Sequence, residues 1–228
     1  MNAIAFFDVD DTLLKGSSGV MLAKLLFLHK GERVELPYAL ELLKAYLQYK
    51  YVSIEYDILI EQGLEKFAGR SRAEVEAICQ ECFDRYMVRA VYRGGYREIR
   101  KHKAMGNRVV LLTASLQPLM SLLGEYLRVD DVIATKLVFE EGITLNKAEK
   151  PYCYEDGKRV LAQEYADRFD VPLEACYFYT DSISDLPLLE EVGRPVATNP
   201  DRVLFLTALA RNWRIKWFNR VLPPNFHP

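Results

Sequence analysis

Four short apolar runs, at residues 3–7, 108–112, 176–179 and 195–197, are each followed at once by polar residues. Runs of this kind predict strands buried on both faces, the signature of a parallel sheet. Between the later runs, helical spacing of apolar positions predicts helices over 95–105, 118–127, 156–169 and 185–191. Strand alternating with helix implies an α/β fold, a Rossmann-like doubly wound parallel sheet. Ligands of such sheets sit beyond the carboxyl ends of the strands. Asp8, Thr113 and Asp181 all emerge there, from three distant parts of the chain.

The interval 17–89 breaks the alternation. It shows no strand pattern but helical stretches at 20–29, 37–49, 54–67 and 72–87. The chain therefore divides into a catalytic core, residues 1–16 and 90–228, and a helical cap, residues 17–89, inserted after the first strand. A cap in this position stands over the ligand edge, where it excludes water and reads the substrate. No Pro/Gly/Ser-rich linker or internal repeat separates the two, so cap and core are expected to pack closely.

Composition narrows the partners. The 228 residues are 50% hydrophobic and 27% charged, with a formal net charge of −2. That balance suits a globular protein and argues against nucleic acid as a partner. No segment has the length of a membrane span, and residues 1–8 carry no basic region ahead of a signal-like apolar run. A cytoplasmic location follows, with Cys79, Cys82, Cys153 and Cys176 kept as thiols. The Cys79/Cys82 pair lies in a helical pattern without a second pair, and is read as helix packing rather than a metal or redox site. His29, His102 and His227 are dispersed, so no histidine-based site is indicated. The tyrosines 38, 46, 49, 51 and 56 read as a cap packing surface. Residues 211–220 interleave cations with aromatics. Packing on the core with snorkelling arginines is preferred there over a peripheral membrane contact. Oligomeric state is left open.

The chemistry centres on Asp8-Val9-Asp10-Asp11-Thr12. Alternate residues of an extended chain share a face, so Asp8 and Asp10 meet one substrate while Val9 points to the core. One carboxylate attacks phosphorus; the other protonates the leaving alcohol and then activates water. Asp8 suits the first role and Asp10 the second. Attack on an anionic phosphate requires a cation and fixed donors, and oxygen ligands favour Mg2+. Asp181 is the better direct metal ligand. Asp185 either binds the metal through a water or caps the helix it precedes. The Thr113 hydroxyl and the Ala114 amide are candidates for holding a phosphate oxygen. Lys158 is the candidate cation on Asp8 and the phosphate, with Lys147 and Lys150 as competitors.

The ordered set of Asp8-x-Asp10-x-Thr12, Thr113, Lys158 and Asp181-Ser182-x-x-Asp185, each tied to a strand end or helix start, resembles the haloacid dehalogenase superfamily. The helical insertion between the first two motifs resembles its phosphoserine-phosphatase-like group, subfamily IB. The resemblance implies Mg2+ held by the Asp8 side chain, the Asp10 main-chain carbonyl and the Asp181 side chain, and transient phosphorylation of Asp8. It implies a phosphoric monoester hydrolase acting on a small phosphate ester. The alternatives are a phosphotransferase or mutase of the same fold, or a non-catalytic phosphate-binding homologue.

Three departures bear on the substrate. Phosphoserine phosphatases typically place a Glu nine residues after the nucleophile, and this chain has Ser17. Their cap arginine has no counterpart around Leu59-Ile60-Glu61. The fourth motif begins Thr180-Asp181 instead of Gly-Asp. Phosphoserine is therefore not the expected substrate, and Arg70, Arg72 and Arg89 are the cations available for another polar group.

Overall fold

The computed structural model describes residues 3–28, 64–65, 67–223 and 226. The expected helix at 37–49, residues 54–63 and 66 of the one expected at 54–67, the five cap tyrosines and Leu59-Ile60-Glu61 lie outside them.

Six strands form one parallel sheet. They are β1 (Ile4–Phe7), β2 (Arg108–Leu116), β3 (Asp131–Thr135), β6 (Tyr177–Thr180), β7 (Arg194–Thr198) and β8 (Arg214–Lys216), in the spatial order β3-β2-β1-β6-β7-β8. The doubly wound sheet expected from the apolar runs is present. The order runs outward in both directions from the β1/β6 pair, which makes that pair the switch point where a ligand crevice opens. Phe7 lies beside Leu111 of β2 and Tyr179 of β6, and the Asp8 amide extends the ladder by donating to the Tyr179 carbonyl at 2.8 Å.

Period-two alternation sends the side chains of β1 into two cores. Ala5 and Phe7 join Leu111, Leu119, Met120 and Leu123 on one face, whereas Ile4 and Phe6 join Val110, Phe178, Ala162 and Leu188 on the other. The first face is covered by α1 (Ser18–Leu28), α2 (Arg72–Cys82), α3 (Arg93–Ala104) and α4 (Gln117–Leu127). The second is covered by α5 (Asp156–Asp167), α6 (Leu186–Glu191) and α7 (Arg202–Ala210). Cys79 and Cys82 are fully buried in the first core, and burial pushes both thiols up to about 12. They pack and are not paired. Leu22, Leu25, Val75 and Met87 share that core with α4, so α1, α2 and the turn after α2 pack on the sheet.

The chain leaves and re-enters the core side by side. Lys15 N donates to Ala90 O at 2.8 Å and Tyr92 N to Leu13 O at 2.7 Å. An antiparallel hairpin, β4 (Leu137–Glu140) and β5 (Ile143–Ala148), reaches back to the loop before α2. There Thr144 N donates to Arg70 O at 2.8 Å, and the Thr144 hydroxyl donates to the Phe67 carbonyl. The hairpin, β3, α7 and β8 were not foreseen. Among the described residues no helix is long and apolar enough to cross a membrane.

Candidate active site

Asp8 leaves β1 at the switch point and is buried, with 6% of its surface exposed. Beyond it the chain folds on itself: Leu13 N and Leu14 N both donate to Val9 O, at 2.8 and 2.9 Å, and Asp11 takes a positive φ of 54°. This tight turn points Val9 into the core and keeps Asp8 and Asp10 on the open side of the sheet edge.

Lys158 meets Asp8 from the start of α5. Its Nζ donates to Asp8 Oδ1 at 2.6 Å and to Asp185 Oδ2 at 2.9 Å, with all three side chains buried. Gly157 permits this approach, because a Cβ there would stand 1.9 Å from the Tyr152 carbonyl oxygen. Burial alone would lower the Lys158 pKa; the Asp185 and Asp8 carboxylates outweigh it and hold the ammonium well above its ordinary value. Lys147 and Lys150 are exposed on the surface, and Lys158 is the lysine brought to Asp8.

Asp185 is not a plain helix cap. No capping hydrogen bond runs from its side chain to α6. Its Oδ2 accepts from Lys158 and from Thr180 Oγ1 at 2.5 Å, while Oδ1 is buried without a hydrogen-bond partner among the described residues. Asp181 follows β6. Its Oδ1 accepts from Thr12 Oγ1 at 3.3 Å, and its carbonyl accepts from Asp201 N at 2.7 Å.

Asp10 is held by the first residues of α1. Ser18 N donates to Oδ1 at 2.9 Å, Ser18 Oγ to Oδ2 at 2.9 Å, and Ser17 Oγ to Oδ2 at 3.4 Å. Since the Ser18 proton is used on Asp10, Ser115 is the donor in the 2.7 Å Ser115–Ser18 contact. Thr113 is buried at the same edge, and its Oγ1 accepts from Ser115 N at 3.3 Å. β2 runs through to Leu116, past the expected end at 112, but its ladder to β3 slips between Leu112 and Leu116. Thr113 and Ala114 sit in that irregular stretch, where strand pairing does not claim the backbone in the regular way.

The electrostatics favour a proton-bearing or cation-bearing site. Burial raises Asp8 to about 7, Lys158 opposes it, and the Asp185 charge adds to it. Burial raises Asp10 to about 6 against the bonds from Ser18. Burial, then the charges of Asp8 and Asp11, push Asp181 well up. Buried carboxylates that repel one another, one of them with an orphaned oxygen, form a hard-oxygen donor set of the kind Mg2+ takes. Among the described residues no three His, Cys, Asp or Glu side chains form a cage; the expected set needs two carboxylates and a main-chain carbonyl. The Asp10 carbonyl also accepts from Thr12 N at 2.7 Å, which leaves one lone pair.

The geometry thus gathers Asp8, Lys158 and Asp185 directly, and places Asp10, Thr113, Ala114 and Asp181 at the same strand ends. Arg72 lies exposed over the Phe139 ring at 3.9 Å, and Arg89 is exposed; among the described residues no contact joins either to this cluster. Sequence reasoning placed Thr12 and Thr180 in motifs without giving them a contact, and missed Ser18, Ser115, Asn199 and Asp201. Asn199 Nδ2 donates to Asp11 O at 3.0 Å, and Asp201 accepts from Ile183 N at 2.8 Å, so both brace the two acidic loops. The Asp201 position just before α7 was the available signal, since Asp is a strong helix N-cap.

The profile of the family described as haloacid dehalogenase-like hydrolase matches residues 5–190. A probable phosphatase of Mycobacterium tuberculosis is 31% identical over 223 residues, which are 95% of this chain and 75% of that protein. Among solved structures, a protein of unknown function from Bordetella pertussis superposes with a TM-score of 0.85 at 27% identity, covering 95% of this chain and 98% of the other. A substrate-bound phosphoserine phosphatase superposes with a TM-score of 0.71 at 15% identity, covering 97% and 95%. That last likeness is one of fold.

Proposed function

Since the chain belongs to the haloacid dehalogenase-like hydrolases and is a phosphatase of that family, we propose that it hydrolyses a small phosphate monoester through a phosphate carried on Asp8. The observation that carries this reading is the Lys158 ammonium lodged between Asp8 and Asp185, at 2.6 and 2.9 Å, in the switch-point crevice. A buried cation against one oxygen of a buried carboxylate leaves the other oxygen to attack, and offsets the charge that an incoming phosphate brings.

Asp8 attacks phosphorus, and the P–O bond to the leaving alcohol breaks. Asp10, raised to about 6, donates the proton that the alcohol takes, then removes one from the water that cleaves the acyl phosphate. Ser18 and Ser17 fix the Asp10 carboxyl for both steps. Thr113 Oγ1 and the Ala114 amide orient the phosphoryl oxygens. Mg2+, when bound, would supply Lewis-acid charge on the phosphate, and Asp8, the Asp10 carbonyl and Asp181 are the residues to hold it, with Asp185 supporting Lys158 or reaching the ion through water. Residues 17–89 are the cap, and the four buried, unpaired cysteines support a cytoplasmic setting.

Ser17 lies 3.4 Å from Asp10, so this position serves the acid/base in place of a substrate ammonium. That supports an ester other than phosphoserine. A screen of phosphorylated amino alcohols, sugars, nucleotides and lysophospholipids with Mg2+ finds the substrate. In an acid quench, the phosphate should be recovered on the Asp8 peptide, and Asp8→Asn should abolish both label and turnover. Undiminished turnover in Asp8→Asn would remove Asp8 from the mechanism. Inorganic phosphate as product separates hydrolysis from a phosphotransferase or mutase, and binding without turnover would mark a non-catalytic homologue.

A further inference from the structure

From Arg202 onward the chain carries Arg202, Arg211, Arg214, Lys216 and Arg220 and no Asp or Glu, although the whole chain has a formal charge of −2. Arg211 pairs with Glu190, and Lys216 with Glu98, each at 2.5 Å. Among the described residues Arg202, Arg214 and Arg220 pair with no carboxylate. Within this basic segment α7 turns Leu204 and Ala208 into the second core, and presents Val203, Leu206 and Leu209 outward at 56%, 55% and 57% exposure. Trp217, just past β8, is 63% exposed, with its ring centroid 6.1 Å from that of Phe205. No charged residue lies between Arg202 and Arg211. Three large aliphatics one helical turn apart, with an indole beside them, make an uncovered apolar face.

The charges decide what covers it. A second copy docked on the same face by two-fold symmetry would bring these arginines against themselves, with no carboxylate in the segment to answer them. Nucleic acid would satisfy the arginines and leave the aliphatic row in water. An anionic bilayer satisfies both, because apolar side chains enter the acyl boundary, arginines meet lipid phosphates and Trp sits at the headgroup level. We propose that α7 and the Trp217 edge form a peripheral docking surface for membranes rich in anionic lipid. β8 pairs with β7 and Trp213 and Ile215 pack on the second core, so the tail is anchored to the sheet and α7 is the element that faces outward.

The test is co-sedimentation of the full chain with phosphatidylcholine vesicles, with and without phosphatidylglycerol. The protein should pellet with the anionic vesicles only, and salt should release it. Leu206→Glu/Leu209→Glu should lower the partition coefficient about tenfold or more, with circular dichroism and phosphate release from a soluble ester unchanged. Arg214→Glu/Arg220→Glu should remove most of the salt-sensitive part. Failure to bind anionic vesicles, equal binding to neutral ones, or binding that survives Leu206→Glu/Leu209→Glu overturns the proposal. So does a dimer, seen by sedimentation velocity, that the leucine variant dissolves.

Discussion

Replacing Lys158 by Met tests the buried charge cluster, because it removes an ammonium but keeps a side chain of similar reach. At 2.6 and 2.9 Å from Asp8 and Asp185, each attraction amounts to about 6 kcal/mol at an effective dielectric constant of ~20. Desolvation of the ammonium offsets several kcal/mol of that. What the variant loses is therefore governed by the two carboxylates left buried without a cation, and breaking such a pair typically costs about 3–5 kcal/mol. The cost must depend on pH. Asp8 is raised to about 7 with Lys158 present, and without it the carboxyl rises further. A folded state whose acid pKa lies above the unfolded value binds more protons than the unfolded chain, so its stability falls as pH rises through the folded value. Below pH 7 Asp8 holds its proton in both proteins and their slopes run parallel, so the deficit of Lys158→Met should grow as pH rises above about 7, where wild-type Asp8 ionises beside the ammonium and the variant's carboxyl does not. Equilibrium urea unfolding in chelator, so that no metal neutralises the carboxylates, measures it. Lys158→Met/Asp185→Asn should recover about 1–3 kcal/mol relative to the sum of the single losses. Turnover should fall by roughly a hundredfold to a thousandfold, as for removal of one fixed transition-state donor. A deficit below about 1 kcal/mol that does not change with pH would refute the reasoning.

Two further outcomes follow from single positions. Gly157→Ala should lower kcat about a hundredfold, because its Cβ would meet the Tyr152 carbonyl at 1.9 Å and force the start of α5, with Lys158, out of register; steady-state kinetics with undiminished kcat would show that the close approach does not set the lysine. His102 is buried, with Asn107 Nδ2 donating to its Nδ1 at 2.9 Å, which leaves Nε2–H to donate to Tyr179 Oη at 2.8 Å, the neutral tautomer. Burial lowers its pKa from 6.5 to about 4. The unfolded chain therefore binds the extra proton between those values, and this contribution is complete above pH 6.5 and is lost as pH falls toward 4. Wild type should lose about 2 kcal/mol more than His102→Gln between pH 7 and pH 5 in urea unfolding, and parallel slopes would exclude the assignment.

The strands that the chain announces are those buried on both faces. Ile4–Phe7 and Tyr177–Thr180 are central and nearly or wholly buried, so burial alone dictates an unbroken apolar run. β3 is an edge strand that starts at an exposed Asp131, and the three residues of β8 are exposed or half-buried; neither must read as apolar. The β4–β5 hairpin turns through Glu141 and Gly142, with φ of 50° and 81°, and its strands face water on one side, which dilutes the alternation. α7 was hidden for the opposite reason, since apolar residues occupy its outward as well as its inward face and leave no amphipathic period to detect. At the site, the carboxylates and the lysine that the structure clusters were legible because the ordered motifs put the former at strand ends and the lysine at a helix start. Their supports were not: Ser18, Ser115 and Thr180 act across 97 residues in one contact and 5 in another, and only the fold makes them neighbours.

Those supports place Asp10 at a junction. Ser18 is at once the first residue of α1, the donor of two bonds to Asp10, and the acceptor from Ser115 at the end of β2. The proposed acid/base therefore takes its position from α1 and from the strand that carries Thr113, the hydroxyl proposed for the phosphate. Any displacement of α1 relative to β2 must break or lengthen at least one of these bonds, and each is worth about 1 kcal/mol or more when a charged acceptor is buried. α1 is held against that by Leu22 and Leu25, packed in the core with Val75, Met87 and Leu119. A substrate that shifts the proposed cap would thus act on Asp10 through Ser18, a route to the proposed chemistry that needs no cap residue on phosphorus. If Asp10 is the proton donor as proposed, selectivity should show more in kcat than in KM, since misplacing it weakens the transition state and leaves the phosphate contacts proposed for Thr113 and Lys158 intact.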